Sequence, residues 1–459
     1  MATTSVREFN LVVPLAKATD KRTSDTASAC WVRSGAVSLG SNPQGDVDST
    51  NGRSTQLIQI MPGIRTSTTA IRTTTTRTTS CAPAQSEDHT VGHHADFSFE
   101  ELVQAYLDCR RTKRSKSSAL AFEQHLEANL YCLDRELRDG TYAPGKSICF
   151  VITRPKPREV WAADFRDRVV HHLLYNRISP RFYAGFSVDS CACIPGRGTL
   201  YGAERLEAKI RSITQNWSKP AYYLKLDLAN FFVSIDKRIV RELLSRRVTE
   251  SWWMALTDTV LFHDPRKNFE FKGDLSKTDL VPAHKKLANH PADFGLPIGN
   301  LSSQFFANVL LDALDQHVKH DIKARHYIRY VDDFILLHES AQWLNNAKAD
   351  IEAWLPAHLG LRLNPTKTIL QPVSRGVDFV GQVIKPWHRV TRKRTANDAM
   401  YRVSTMPAPE LFEAANSYFG LFGQATHGRQ KRAQLANILR KRGYSINTSI
   451  TKTYRRKSA

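Results

Sequence analysis

The stretch Arg329-Tyr-Val-Asp-Asp-Phe-Ile-Leu-Leu337 sets two adjacent carboxylates, Asp332 and Asp333, into a run that otherwise reads as a buried strand. Burying unpaired charge is costly, so a fold that keeps this segment must bring cations to the acids or leave them at a strand end. A second apolar strand, in Tyr222-Tyr-Leu-Lys-Leu-Asp-Leu-Ala-Asn-Phe-Phe232, is capped by Asp227. One carboxylate from one strand and two from the turn of a neighbouring hairpin would converge on divalent cations, which take hard oxygen ligands. A pair of Mg²⁺ ions roughly 3.5–4 Å apart is what phosphoryl transfer uses to clamp the attacking and leaving oxygens. Taken alone, Asp-Asp before an apolar run is more often a strand-end turn than a metal site, and Asp227 alone is uninformative.

Charge narrows the partner. Lys and Arg number 65 against 44 Asp and Glu, a net charge of +21. Residues 1–95 hold nine basic and seven acidic residues, so +19 of that excess lies in the remainder. From His427 to Ala459 there are ten Lys or Arg and no acid. A field of this size steers and holds polyanions, and points to nucleic acid. No apolar run approaches a membrane span, and the first residues lack an export signal, so a cytoplasmic protein with no membrane partner is expected. Seven scattered cysteines fit reduced thiols.

Residues 1–95 are rich in Ser and Thr and end in Thr66–Ser80, "TSTTAIRTTTTRTTS", a composition that cannot bury enough surface to offset chain entropy. A low-complexity, disordered extension is expected there. Folding starts at Ser98-Phe-Glu-Glu101, a capping box. Helices are expected over Phe99–Leu107, over Phe122–Leu137 with a stop at Gly140, and around 167–178, 198–213, 252–262 and 302–319. Strands are expected at 147–153, 222–228 and 327–337, a polar excursion at Asp264–Pro291, and a closing helical module at 410–443. Helices on strand hairpins without regular βαβ alternation make the fold class α+β.

The segments "YLKLDLANFFVSID" and "RYVDDFILL" resemble the two metal-binding motifs of reverse transcriptases, and Arg154–Leu174 resembles the fingers segment of the bacterial and phage members. "LRDGTYAPG", "GLPIGNLSSQFFANVLLDALDQHVK", "LRLNPTKT" and "VDFVGQVIKP" fall in the family's order, so the resemblance spans Phe97 to Pro386. It implies a right-hand polymerase fold. Residues 96–220 would be N-terminal helices and fingers, 221–390 the palm with catalytic hairpin and primer grip, and 391–459 a basic helical thumb.

The resemblance also assigns roles. Asp227, Asp332 and Asp333 would hold two Mg²⁺, with the Leu228 carbonyl as a further ligand. Phe232 would exclude a ribose 2′-hydroxyl by collision. Lys156 and Arg158 would meet the triphosphate and incoming base of a dNTP. Lys367 would stand where a pyrophosphate-protonating acid is proposed, and Gly381 with its flanks would form the primer grip. Ile298-Gly299 followed by Ser303-Gln304 is similar to the enzymes of diversity-generating retroelements, which copy a template RNA inaccurately at adenines. There Ile298, Gly299 and Gln304 would border the nascent base pair, although Ile298 is equally a plain core residue. His263–Ser276 also resembles an insertion of that group. Template RNA, an RNA/DNA hybrid and a small basic accessory protein are the implied partners. A defence-associated or intron-type enzyme, and a catalytically degenerate RNA-binding scaffold, remain alternatives.

Overall fold

A computed structural model describes residues 95–111, 113–154 and 156–454, so the extension expected over 1–95 lies, but for Ala95, outside the described residues. The capping box forms: Ser98 Oγ accepts the Glu101 amide at 3.2 Å and Glu101 Oε2 accepts the Ser98 amide at 2.8 Å, opening helix Phe99–Arg110. The single helix expected over 122–137 is two, Ser117–Glu123 and Leu126–Arg138. The break falls at His125, whose φ of −131° and ψ of 46° leave the helical region.

Strands β1 (Ser147–Ile152) and β2 (Arg158–Ala162) form an antiparallel hairpin. They are followed by helices Phe165–Tyr183 and Thr199–Ile213 and by β3 (Tyr222–Asp227). Strand β4 (Phe269–Phe271), inside the polar excursion, joins β1 in parallel. Helix Leu301–Gln316 then leads to the hairpin β5 (His326–Tyr330) and β6 (Asp333–His338). Helix Ala341–Leu359 and the strands β7 (Ile369–Pro372), β8 (Val377–Phe379), β9 (Gln382–Lys385) and β10 (His388–Thr391) come next. Helices Lys393–Thr405, Ala408–Gly423 and Gly428–Lys441 pack around their own core, which includes Val403, Leu411, Phe419 and Leu435.

Among the described residues three sheets result, and the one that carries the acids has the order β5-β6-β3-β7. Strand alternation sends Leu224 and Leu226 of β3 and Phe334 and Leu336 of β6 into the large helical core. Tyr223, Ile335 and Leu337 face the other way, onto Val377, Phe379 and Ile384 of the β8–β10 sheet. Both faces are therefore dry, and each buried Leu, Ile or Phe contributes about 1.5–3 kcal/mol. Asp227 and Asp333 share the parity of Tyr223 and Ile335, and they stand at the strand ends where the apolar layers stop. Among the described residues no helix is long and apolar enough to cross a membrane, and Cys109, Cys132, Cys149, Cys191 and Cys193 form no disulfide there.

Candidate functional site

Asp227 ends β3 directly opposite Asp333, which begins β6; the two are partners in register. Asp332 occupies the two-residue turn closed by the Tyr330–Asp333 pair, and its carbonyl accepts the Leu228 amide at 3.2 Å. Three acids thus meet at one end of one sheet. The turn is strained, because Val331 has a φ of 55°, a left-handed conformation that β-branched residues resist.

Arg329 holds that turn. Its guanidinium, 1% exposed, donates from Nη1 to the Val331 carbonyl at 3.3 Å and to Asn308 Oδ1 at 3.3 Å. Nε and Nη2 reach the two oxygens of Asp315 at 2.7 and 2.6 Å, and Nη2 also donates to Ser190 Oγ at 2.9 Å. Tyr327 Oη donates to Asp315 Oδ1 at 2.6 Å. The buried ion pair is fully hydrogen-bonded, the condition under which such a pair is tolerated. Nothing in the sequence marks this network, although Arg329 sits within the segment RYVDDFILL itself.

Asp227, 3% exposed, is fixed from the other side. Asn364 donates its amide to the Asp227 carbonyl at 2.8 Å and its side-chain Nδ2 to Oδ1 at 3.1 Å. Lys367 Nζ lies 2.5 and 2.6 Å from the two carboxylate oxygens. Asn364 is a second residue not singled out from the sequence, and its signal was the same "NPTKT" that supplied Lys367.

Burial, and after it the charges of Asp333 and Asp227, push the Asp332 carboxyl up to about 6. Asp333 is raised as well, first by burial and further by Asp227, with Lys225 opposing. Like charges so placed call for counter-cations. Among the described residues no three His, Cys, Asp or Glu side chains are gathered as a metal cage, and the ammonium of Lys367 takes both Asp227 oxygens. The donor set itself fits a hard divalent cation: three carboxylates at adjoining strand and turn positions, two of them raised by burial and by neighbouring carboxylates.

Cations approach from the β1–β2 hairpin. Arg158, half-buried at the start of β2, is drawn by the charges of Asp332 and Asp227, while burial lowers its own affinity for its proton. Lys156 is exposed in the connecting loop. Phe232 is 7% exposed, in a short helix Phe231–Ser234 entered through Asn230 at a φ of 48°. Its carbonyl accepts the Leu296 amide at 2.8 Å, which ties it to the segment holding Ile298 and Gly299.

Ile298 is half-buried against the helical core, and its carbonyl accepts the Trp161 amide of β2 at 2.8 Å. Gly299 has a φ of +130°, and a Cβ there would stand 2.9 Å from Val160 Cγ1 and 3.2 Å from the Trp161 carbonyl oxygen, so only glycine fits. Gln304, 7% exposed, leaves Oε1 buried without a hydrogen-bond partner. Such an orphan acceptor costs about 1–3 kcal/mol unless a ligand satisfies it. Gly381, at a φ of +83°, forms the β8–β9 turn.

The family described as reverse transcriptase (RNA-dependent DNA polymerase) matches residues 154–384, just over half of the chain. No curated protein matches. Among solved structures, telomerase from Candida albicans in complex with a TWJ fragment of telomeric RNA is similar at 10% identity and a TM-score of 0.40, over 70% of this chain and 60% of that one. Apo telomerase from Candida tropicalis, truncated from its C-terminal domain, is similar at 14% identity and a TM-score of 0.38, over 54% of each chain. This chain spans under two thirds of either structure's length. The matched segment runs from the cation-bearing hairpin through all three acids to β9, and the chain belongs to the reverse transcriptase family.

Proposed function

We propose that the protein is an RNA-directed DNA polymerase that copies a template RNA into cDNA. The observation that carries this reading is the cross-strand pair Asp227–Asp333 with Asp332 in the adjoining turn, facing Arg158. Two Mg²⁺ held by the three carboxylates and the Leu228 carbonyl would, when bound, stabilise charge on the attacking and leaving oxygens. The reaction is in-line attack of a primer 3′-hydroxyl on the α-phosphorus of a dNTP: the new P–O bond forms as the bond to pyrophosphate breaks, with no protein nucleophile.

Lys156 and Arg158 neutralise the triphosphate and so hold it in line with the primer. Lys367 Nζ lies beside the acids and is the candidate donor to departing pyrophosphate. Phe232 stands beneath the sugar, and Ile298, Gly299 and the unsatisfied Gln304 carbonyl border the base pair. In this reading 96–220 supply the fingers, 221–390 the palm and 391–459 a basic thumb on the RNA/DNA hybrid.

The apolar Ile298 beside Gly299, where many relatives carry an amide, supports assignment to a diversity-generating retroelement with errors concentrated at template adenines. The resemblance further implies a small basic accessory protein and a bacterial or phage setting in the cytoplasm. Extension of a DNA primer on an RNA template tests the activity: wild type extends it with Mg²⁺ and dNTPs, and Asp332→Asn falls to background. Equal signals from both, or none from wild type, would leave only a scaffold role. Sequencing the cDNA tests the subgroup, which requires substitutions at template adenines well above those at the other bases.

A further inference from the structure

Edge strand β5 and helix Thr199–Ile213 border a groove of about 500 Å³ that no step of the proposed reaction uses. Tyr201, Arg205, Lys209 and Ser212 line it from one face of the helix, and Arg325 and His326 from the start of β5. His326 pairs with Leu337 and Tyr330 with Asp333. Four residues of strand, about 13 Å, therefore separate this end of β5 from the turn that carries Asp332.

The cations of the groove are anchored. Asp189, 1% exposed, takes Arg205 Nε at 2.5 Å and Lys209 Nζ at 2.9 Å on one oxygen, and Lys319 Nζ at 3.2 Å on the other. One buried carboxylate thus answers three cations and leaves two positive charges over. The Asp189 carbonyl accepts the Arg329 amide at 2.9 Å, which fixes the anchor against β5. Arg325 is exposed and forms no salt bridge among the described residues. Glu204 also borders the groove, but it lies 3.5 Å from Arg389, which brings its own positive charge. Burial, and then the charges of Lys209, Arg325 and Lys319, push His326 down to about 4, so at neutral pH its ring both donates and accepts.

A concave surface with anchored cations, two hydroxyls and a neutral imidazole matches a ribose–phosphate backbone. Cations take the phosphates, and the hydroxyls and ring meet 2′-hydroxyls. An acidic peptide would use the cations and leave the other groups idle. We infer that this groove binds the backbone of an RNA segment lying outside the template–primer duplex. The choice of RNA rests on the polymerase reading, whereas affinity for phosphate does not.

The test is fluorescence anisotropy of a labelled RNA hairpin on the full chain, without dNTP and with a saturating short primer–template duplex in the cleft. Arg325→Glu is expected to weaken hairpin binding roughly tenfold near physiological salt, and Arg325→Ala about three- to fivefold, with the slope of log affinity against log salt shallower by about one. Arg246→Glu makes the same charge reversal at an exposed position just past helix Lys237–Ser245, outside the groove, and should stay within about twofold of wild type. A DNA hairpin of the same sequence should bind several-fold more weakly.

Equal losses in Arg325→Glu and Arg246→Glu, or no loss in either, would overturn the groove as an RNA site. So would an acidic peptide that displaces the hairpin as readily as unlabelled RNA does, and equal affinity for the DNA hairpin would overturn the choice of RNA. Absence of primer extension by wild type would remove the polymerase reading and still leave the variant comparison decisive for phosphate binding, because that comparison needs no catalysis.

Discussion

The floor and the rim of the cleft are built on opposite principles. On the floor, the charged groups that fix the acids are bonded several times over: buried Arg329 to Asp315, Asn308, Ser190 and the Val331 carbonyl, and buried Asp227 to Asn364 and Lys367. On the rim, Lys156 is exposed in the loop that joins β1 to β2, and among the described residues it forms no salt bridge. Strain at Val331 and repulsion among three carboxylates can persist only where the surroundings over-determine the geometry. Cations that must admit and release a polyanion need the reverse, a fixed base and a free tip.

The largest effect should come from the floor. Arg329→Met leaves Asp315 buried and unpaired, and should cost about 3–5 kcal/mol in urea unfolding. Adding Asp315→Leu should recover much of it; if the single change costs under about 1 kcal/mol, the network is not what supports the turn.

Next comes the seam between the two regions, where Ser302 Oγ of helix Leu301–Gln316 lies 3.3 Å from His171 Nδ1 of helix Phe165–Tyr183. Burial, then the charges of His172 and Arg168, push His171 down to about 3. The unfolded imidazole takes up its proton near the ordinary value of about 6.5, so between those values the unfolded state binds more protons and stability falls as pH drops. A loss of roughly 3 kcal/mol between pH 7 and pH 4 is expected from this group, measured by urea titration at each pH and flattened in His171→Gln. An identical pH slope in the variant would contradict the assignment.

Gly299→Ala should cost about 1–3 kcal/mol, from its positive φ and the approach to β2, and should lower the thermal midpoint correspondingly. On the rim itself, Lys156→Ala should change stability by under about 0.5 kcal/mol while raising KM for dNTP several-fold. A rim variant that unfolds the protein, or a floor variant that only alters KM, would erase the distinction.

How much of this was legible in the sequence follows the same division. The three acids, the strands that carry them and the capping box at Ser98 were readable because apolar alternation and turn chemistry are local. Helix Ala341–Leu359 was not, although Leu344, Ala347, Ile351, Leu355 and Leu359 bury at helical spacing; Asn345-Asn346 and an internal Pro356 obscured it. Strands β7 to β10 are three or four residues long and gain their stability from pairing, which no window of sequence contains. Asn364 and Arg329 lay inside quoted motifs but act across 137 and 14 residues.

Asp227, Asp332 and Asp333 are proposed to form one divalent-cation centre. Its most direct test is Mn²⁺ binding followed by electron paramagnetic resonance, with and without a dNTP, in wild type and in Asp227→Asn, Asp332→Asn and Asp333→Asn. Tight binding to wild type, strengthened by nucleotide, and a marked weakening in each variant that keeps its fold are expected. Wild-type affinity in all three variants would contradict it.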